Sequence, residues 1–145
     1  MRISDILRVK GDQVVTVRPG ADVTELLTLL AEHKIGAVIV SSDGTRVEGI
    51  VSERDVVRAL AARGAAILTQ PVSNIHTTQV HSVAPEAAVE EVERLMTDNR
   101  FRHVPVVENG TLRGVVSIGD VVKNRIDELE AERTSLTGYI TGERV

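Results

Sequence analysis

Apolar residues in the first half of the chain alternate between a helical spacing and short continuous runs. One set follows the i, i+3, i+4, i+7 spacing of a single buried helix face: Val23, Leu26, Leu27 and Leu30. Asp22 precedes this set and Glu25 follows three residues later, so the pattern predicts a helix that begins at a capping box. The run Ala37 to Val40 is short and wholly apolar, which is typical of a buried strand.

Further strands and a second helix complete this half. Residues 14–17 and 48–51 are predicted to be extended, and Ser52 begins a helix that Gly64 ends. The predicted order is therefore strand, helix, strand, strand, helix.

The second half repeats this pattern. At a spacing of 66 residues, Val17-x-Pro19 corresponds to Val83-x-Pro85. At the same spacing, the apolar residues Val23, Leu26, Leu29 and Leu30 are matched by Val89, Val92, Leu95 and Met96. Asn109-Gly110 predicts a hairpin turn between the last two strands. The opening segments Ile3–Ile6 and Val72–Ile75 are 69 residues apart, so the first copy has three extra residues near Lys10. The sequence thus predicts a duplicated domain of two small lobes that complete each other's core.

Each copy ends in the same signature, Gly-apolar-apolar-Ser-x-x-Asp. It begins at Gly49 in the first copy and at Gly114 in the second, and it supplies the pairs Ser52/Asp55 and Ser117/Asp120. Two equivalent carboxylates in one molecule predict two related clefts.

Composition excludes several classes of function. The 145-residue chain has a net charge of −4 and two aromatic residues, which argues against binding to nucleic acid. It has no cysteine, so thiolate chemistry and cysteine-bound zinc are excluded, and the histidine spacing favours no metal site. No nucleophile motif or phosphate loop indicates an enzyme. No apolar run is long enough to span a membrane, and we expect a cytoplasmic protein.

The duplicated β-α-β-β-α unit resembles a pair of CBS domains, or Bateman module. The motifs that carry the resemblance are the two x-Val-x-Pro segments, the two signatures, Arg102-His103-Val104-Pro105-Val106 and Val72-Ser73-Asn74-Ile75. His76, however, occupies a position where that family often has methionine.

The resemblance implies an α/β (α+β) fold with pseudo-twofold symmetry, sheets packed back to back and helices outside. The expected divisions are a first CBS domain over 1–64, a linker over 65–71, a second CBS domain over 72–126, and a helical extension and tail over 127–145. It further implies a homodimer and clefts that bind adenosine compounds such as AMP, ADP, ATP, S-adenosylmethionine or NAD, as ligands rather than cofactors.

The signature residues allow two compatible interpretations. Ser52 and Ser117 would cap the final helices, with Asp55 and Asp120 in the first turn. Either aspartate could also accept hydrogen bonds from both hydroxyls of a ribose, because a carboxylate has two acceptor oxygens side by side.

Other residues are candidates for contacts with phosphate and base. Arg102, His103 and Arg54 are candidate phosphate contacts, although each could be simply solvated. The candidate aliphatic slot for adenine is Val80, Val104, Pro105 and Ile118 in the second copy and Thr16, Val38 and Ile50 in the first, although such residues are more often simple core residues. Thr78 could bind the base edge or belong to an ordinary loop. We group Asp120 with Arg102 and His103, and Asp55 with Arg54.

These patterns favour a regulatory module that binds an adenosine nucleotide and responds by changing conformation or oligomeric state, with an unspecified protein target. The alternative is a ligand-free dimeric scaffold that acts through protein contacts, in which the signatures serve only as helix caps.

Overall fold

In the computed structural model, which describes residues 1–11 and 13–140, five α-helices and five strands follow the duplicated pattern. In chain order the elements are α1 (Ile3–Lys10), β1 (Thr16–Val17), α2 (Val23–His33), β2 (Ala37–Val40), β3 (Gly49–Ser52), α3 (Glu53–Arg63), α4 (Val89–Asn99), β4 (His103–Glu108), β5 (Thr111–Ser117) and α5 (Ile118–Ile140). The first sheet has the order β1-β2-β3, and β4 and β5 form an antiparallel pair. The predicted α/β fold is confirmed.

The helix ends and the hairpin form where the sequence predicts them. The Asp22 side chain accepts a hydrogen bond from the Glu25 amide at 2.8 Å, and α2 begins at the next residue. Asn109 and Gly110 both have positive φ, 52° and 78°, which is the conformation that a two-residue hairpin turn requires. Pro105 lacks an amide donor, and its carbonyl accepts from the Val83 amide on the side of β4 away from β5.

Three features differ from the predicted elements. The opening segment of the first copy is a helix, α1, to which no element was assigned. The predicted strand 14–17 is reduced to Thr16–Val17, and its counterpart in the second copy is a single parallel bridge between Val83 and Val106. The predicted linker contains most of a 3-10 helix, Gly64–Thr69, whose Ile67 is fully buried in the first core. Of the predicted tail, α5 contains residues through Ile140, and residues 141–145 lie outside the described part.

The two lobes exchange their opening segments. Ile3 and Ile6 of α1 are buried with residues of α4, β4 and β5, which belong to the second copy. Val72, which opens the second copy, is buried with residues of α2, β2 and β3 of the first. Each core is therefore completed by the other copy, as the duplicated sequence predicts.

Backbone hydrogen bonds fix this exchange in the same way at both places. The amides of Ile3 and Ser4 donate to the carbonyls of Ala87 and Pro85, both at 2.9 Å. The corresponding amides of Val72 and Ser73 donate to the carbonyls of Ala21 and Pro19, at 2.7 and 3.0 Å. Because the partners are equivalent in the repeat, the contacts obey the expected pseudo-twofold symmetry, and they bring the end of α1 beside β5.

Candidate functional site

The two Ser-x-x-Asp signatures form equivalent caps at the starts of α3 and α5. Oδ2 of Asp55 accepts the Ser52 amide at 2.8 Å, and the Ser52 hydroxyl accepts the Asp55 amide at 3.4 Å. At α5 the corresponding distances between Ser117 and Asp120 are 2.8 and 3.2 Å. The capping interpretation is therefore confirmed in both copies, and each aspartate is fixed at the junction of a strand and a helix.

Asp120 lies in a cleft of about 350 Å³ between the two copies. The second copy supplies one wall with His103, Gly114, Val115, Ser117 and Asp120. The opposite wall comes from the first copy: Leu7, Lys10, Gly11, Gln13, Val14, Val15, Lys34, Ile35, Gly36 and Ala37. The volume falls within the range of about 300–1,000 Å³ that is typical of small-molecule sites. The cleft thus combines polar groups (carbonyl, amide, ammonium and carboxylate) with an aliphatic surface.

Lys10, the last residue of α1, forms an ion pair with the carboxylate of Asp120. Its Nζ lies 2.7 Å from Oδ2 of Asp120 and also donates to the Val115 carbonyl at 2.8 Å. Burial raises the pKa of Asp120, but the Lys10 ammonium and the Ser117 amide together outweigh it, and the net pKa is lowered. Asp120 is therefore ionised at neutral pH and forms a charge-assisted pair with Lys10.

His103 lies in the same cleft, close to the junction of the two copies. Burial lowers the pKa of His103, the positive charge of Lys10 lowers it further, and the opposing influence of Asp120 and Glu53 is smaller. A Cβ at Gly36 would lie 3.2 Å from Oε1 of Glu53 and 3.5 Å from Cε1 of His103. His103 is thus largely neutral at pH 7 and can offer one ring nitrogen as donor and the other as acceptor.

The site around Asp55 is different. Asp55 forms the same cap but has no counterpart of the Lys10 contact among the described ion pairs, and it does not line the Asp120 cleft. Thr77, from the opening segment of the second copy, exchanges two hydrogen bonds of 2.9 Å with Ile50 and covers the outer edge of β3. The two carboxylates therefore have related backbone positions and unequal surroundings.

The other residues predicted for the site are distributed over several environments. Ser117 and His103 share the cleft with Asp120, whereas Arg102 and Arg54 are exposed and do not line it. Val38 and Val104 are fully buried core residues, and Pro105 is buried in β4. Thr16, Ile50 and Val80 are half-buried, Thr78 is exposed, and all four lie outside this cleft. Ile118 lines a separate groove of about 210 Å³ between α4 and α5.

Of the second-copy residues grouped with Asp120, the structure brings His103 into the cleft but not Arg102. The cleft also contains Lys10, residues 13–15 and residues 34–37 of the first copy. The exchange of opening segments is the reason, because it carries α1 across to β5. Lys10 and Lys34 are not among the site residues predicted from the sequence. The available signal for Lys10 was its position beside the three residues that the second copy lacks.

Within the described residues, no cluster of three or more histidine and carboxylate side chains could hold a metal ion. No helix among residues 1–11 and 13–140 is both long enough and apolar enough to cross a bilayer.

Comparison with known proteins identifies the family. The family model of the CBS domain matches twice, over residues 3–62 and 72–127. A mitochondrial CBS-domain protein of Arabidopsis thaliana, CBSX3, is 33% identical over 97% of this chain and 72% of its own length. The crystal structure of a CBS-domain protein of Agrobacterium tumefaciens is 48% identical and superimposes with a TM-score of 0.82, covering 86% of this chain and 99% of that one.

A second solved structure carries a ligand. It is a CBS-domain protein of Pyrobaculum aerophilum in complex with AMP, which is 32% identical, with a TM-score of 0.74 over 83% of this chain and 89% of its own. The repeat, the exchanged opening segments and these matches agree, and the chain belongs to the CBS-domain family, of which it contains two copies.

Proposed function

We propose that the chain is a regulatory module that binds an adenosine nucleotide in the cleft at Asp120. The observation that carries this proposal is that Asp120, ionised and fixed by its cap, lines a hollow large enough for a small ligand. Its carboxylate would accept the two ribose hydroxyls, and the aliphatic residues Val14, Val15 and Ile35 would lie against the base. The similar protein of Pyrobaculum aerophilum, solved with AMP, supports this class of ligand.

The proposal assigns no catalytic role to the chain. In the cleft, Ser117 and Asp120 form a helix cap and Lys10 pairs with Asp120, so the Ser117 hydroxyl accepts a backbone hydrogen bond and is not paired with a general base as a nucleophile would be. Ligand binding would act by favouring one conformation or oligomeric state over another, and an unidentified protein partner would respond to that change.

A thermal-shift and calorimetric panel tests the binding. The ligands are AMP, ADP, ATP, S-adenosylmethionine and NAD, and the proteins are the wild type, Asp120→Asn and the matched control Asp55→Asn. Both variants lose the negative charge of a first-turn cap, but only Asp120 lines the cleft. A ligand at 100 times its Kd should stabilise the wild type and the control by about 2.7 kcal/mol.

The expected result is a loss of at least tenfold in affinity for Asp120→Asn, because hydrogen bonds to a charged group contribute about 1.5–3 kcal/mol. If no compound shifts the wild type at millimolar concentration, the binding proposal is wrong and the ligand-free scaffold is the better account. Equal losses in both variants would show that the effect comes from the helix caps.

We also propose a homodimer, formed through the outer face of α5. Ile118, Val122, Ile126 and Leu129 are large apolar side chains that remain 44–50% exposed along this helix. Val122→Glu should shift the molecular mass from dimer to monomer in light scattering. Val9→Glu is the control, since Val9 is an exposed valine on α1. A wild-type chain that is already monomeric would contradict the proposal.

A further inference from the structure

The ammonium of Lys10 is hydrogen-bonded to a carboxylate oxygen of Asp120 that a bound ribose would need as an acceptor. Oδ2 of Asp120 accepts the Ser117 amide at 2.8 Å and Nζ of Lys10 at 2.7 Å. A carboxylate oxygen has two lone pairs, so these two donors saturate Oδ2. The cap bond is part of the fold, whereas the Lys10 bond comes from a side chain at a helix end.

A vicinal diol that donates to both carboxylate oxygens must therefore displace Lys10. Lys10 can move, because its side chain is 41% exposed and α1 ends at the same residue. Its second acceptor, the Val115 carbonyl, lines the same cleft and would also lose its donor. Displacement thus removes a charge-assisted hydrogen bond and leaves an ammonium without its carboxylate inside the cleft.

The charge of the cleft determines which ligands can compensate for this loss. Two lysines, Lys10 and Lys34, line it, and Asp120 is the one acid among the described lining residues. Lys34 is held near the cleft by the end of α2, where it caps the helix with φ 54°. Glu53 lies nearby at Gly36, but its carboxylate is close to His103. A phosphate in this hollow would meet both ammonium groups, while a neutral nucleoside would leave the displaced Lys10 unpaired and a cationic ligand would be repelled.

We propose that Lys10 is a latch that closes on Asp120 in the absence of ligand and transfers to the phosphate when a ligand binds, so that the cleft selects adenosine 5′-phosphates over uncharged or cationic adenosine compounds. This inference rests on the proposed function. It adds a residue, Lys10, and a direction of selectivity, toward anions.

Calorimetric titration with AMP, adenosine and S-adenosylmethionine tests the latch. The proteins are the wild type, Lys10→Met, which keeps an unbranched side chain but removes the ammonium, and the matched control Arg8→Met. Arg8 is a cation in the same turn of α1, pairs with Asp5 at 3.7 Å and does not line the cleft. Both variants therefore change the net charge equally, and circular dichroism checks that both are folded.

The wild type and Arg8→Met should bind AMP at least tenfold more tightly than adenosine, and S-adenosylmethionine more weakly than adenosine. In Lys10→Met, the AMP affinity should fall about tenfold, and the adenosine affinity should be unchanged or rise because Asp120 is free. Raising the salt from 50 to 500 mM should weaken AMP binding in the wild type more than in Lys10→Met.

The outcomes separate the two proposals. If the wild type binds adenosine and AMP equally well, or if Lys10→Met weakens both to the same extent, the latch is wrong and the nucleotide site stands. If the wild type binds none of the three compounds, the proposed function is wrong and the latch is overturned with it.

Discussion

Replacing Gly49 by alanine should destabilise the fold much more than the same change at Gly114, although the two glycines begin equivalent signatures. A Cβ at Gly49 would lie 2.8 Å from the backbone oxygen of Thr77 and 3.1 Å from Nδ1 of His76. A Cβ at Gly114 would lie 2.7 Å from Cδ2 of Leu7, the end of a flexible side chain. The clash at Gly49 can be relieved only if the backbone at Thr77 moves, whereas a rotation of the Leu7 side chain relieves the clash at Gly114.

The magnitude follows from the contacts that would be lost. Overpacking costs about 1–3 kcal/mol, and moving Thr77 endangers its two hydrogen bonds with Ile50, worth about 0.5–1.5 kcal/mol each. We expect Gly49→Ala to lower the free energy of unfolding by about 2–6 kcal/mol and Gly114→Ala by about 1 kcal/mol. Gly20→Ala is the control, since a Cβ there meets nothing within 4 Å and its φ is not positive.

Urea unfolding at one fixed protein concentration measures these differences. With a slope of about 2 kcal/mol per M, a gap of 2 kcal/mol separates the two midpoints by about 1 M. The fixed concentration keeps any association between chains constant. Equal midpoints for the two variants, or a lower midpoint for Gly114→Ala, would refute the argument that the backbone of Thr77 limits the space at Gly49.

Two further predictions concern the exchange between the lobes and the half-buried His103. Ile3→Ala should lower the free energy of unfolding by about 2–5 kcal/mol. Because Ile3 is buried in the second core, the substitution should also speed hydrogen exchange in α4 and β4 more than in β2 and β3. Faster exchange confined to the first sheet would contradict the exchanged arrangement. The lowered pKa of His103 means that its contribution to stability is fully present above about pH 6.5 and is lost as the pH falls through the folded value. In thermal unfolding between about pH 7 and 5, His103→Gln should lose less stability than the wild type, whereas the control His33→Gln, at an exposed position, should lose as much. Parallel curves of melting temperature against pH for His103→Gln and the wild type would contradict this prediction.

Local chemistry made most helices and strands predictable from the sequence. The cap at Asp22, the turn at Asn109-Gly110 and the end of α3 at Gly64 each depend on residues a few positions apart, and each lies where it was expected. The spacing of Ile3, Ile6 and Leu7 also fits one helix face, so the signal for α1 was present and was missed. The length of β1 was not predictable, because pairing with β2 sets it.

The composition of the cleft was harder to predict because it depends on contacts between the copies. A repeat shows that two lobes are alike but not that each gives its first segment to the other. That exchange requires the long-range hydrogen bonds of Ile3 and Val72, which no local pattern encodes. Residues predicted by analogy within one copy, such as Val104, therefore lie in the core, while Lys10 of the other copy reaches the carboxylate and Lys34 lines the cleft.

In a duplicated module, positions where the two copies differ indicate the functional site better than positions where they match. The exchange requires only that both copies keep their opening apolar residues, their prolines and their signature glycines, and these are the residues that match. The cleft at Asp120 combines shared signature residues with positions where the copies differ: Lys10 corresponds to Gln79 at the 69-residue spacing of the opening segments, and Gly36 and Ala37 correspond to Arg102 and His103 at the later spacing of 66. The shared residues thus account for two carboxylates in similar backbone positions, and the unshared residue Lys10 accounts for the cation that pairs with Asp120. If that difference is functional, Gln79→Lys should leave AMP binding at Asp120 unchanged while Lys10→Gln should weaken it. The reverse result would place the specialised site at Asp55.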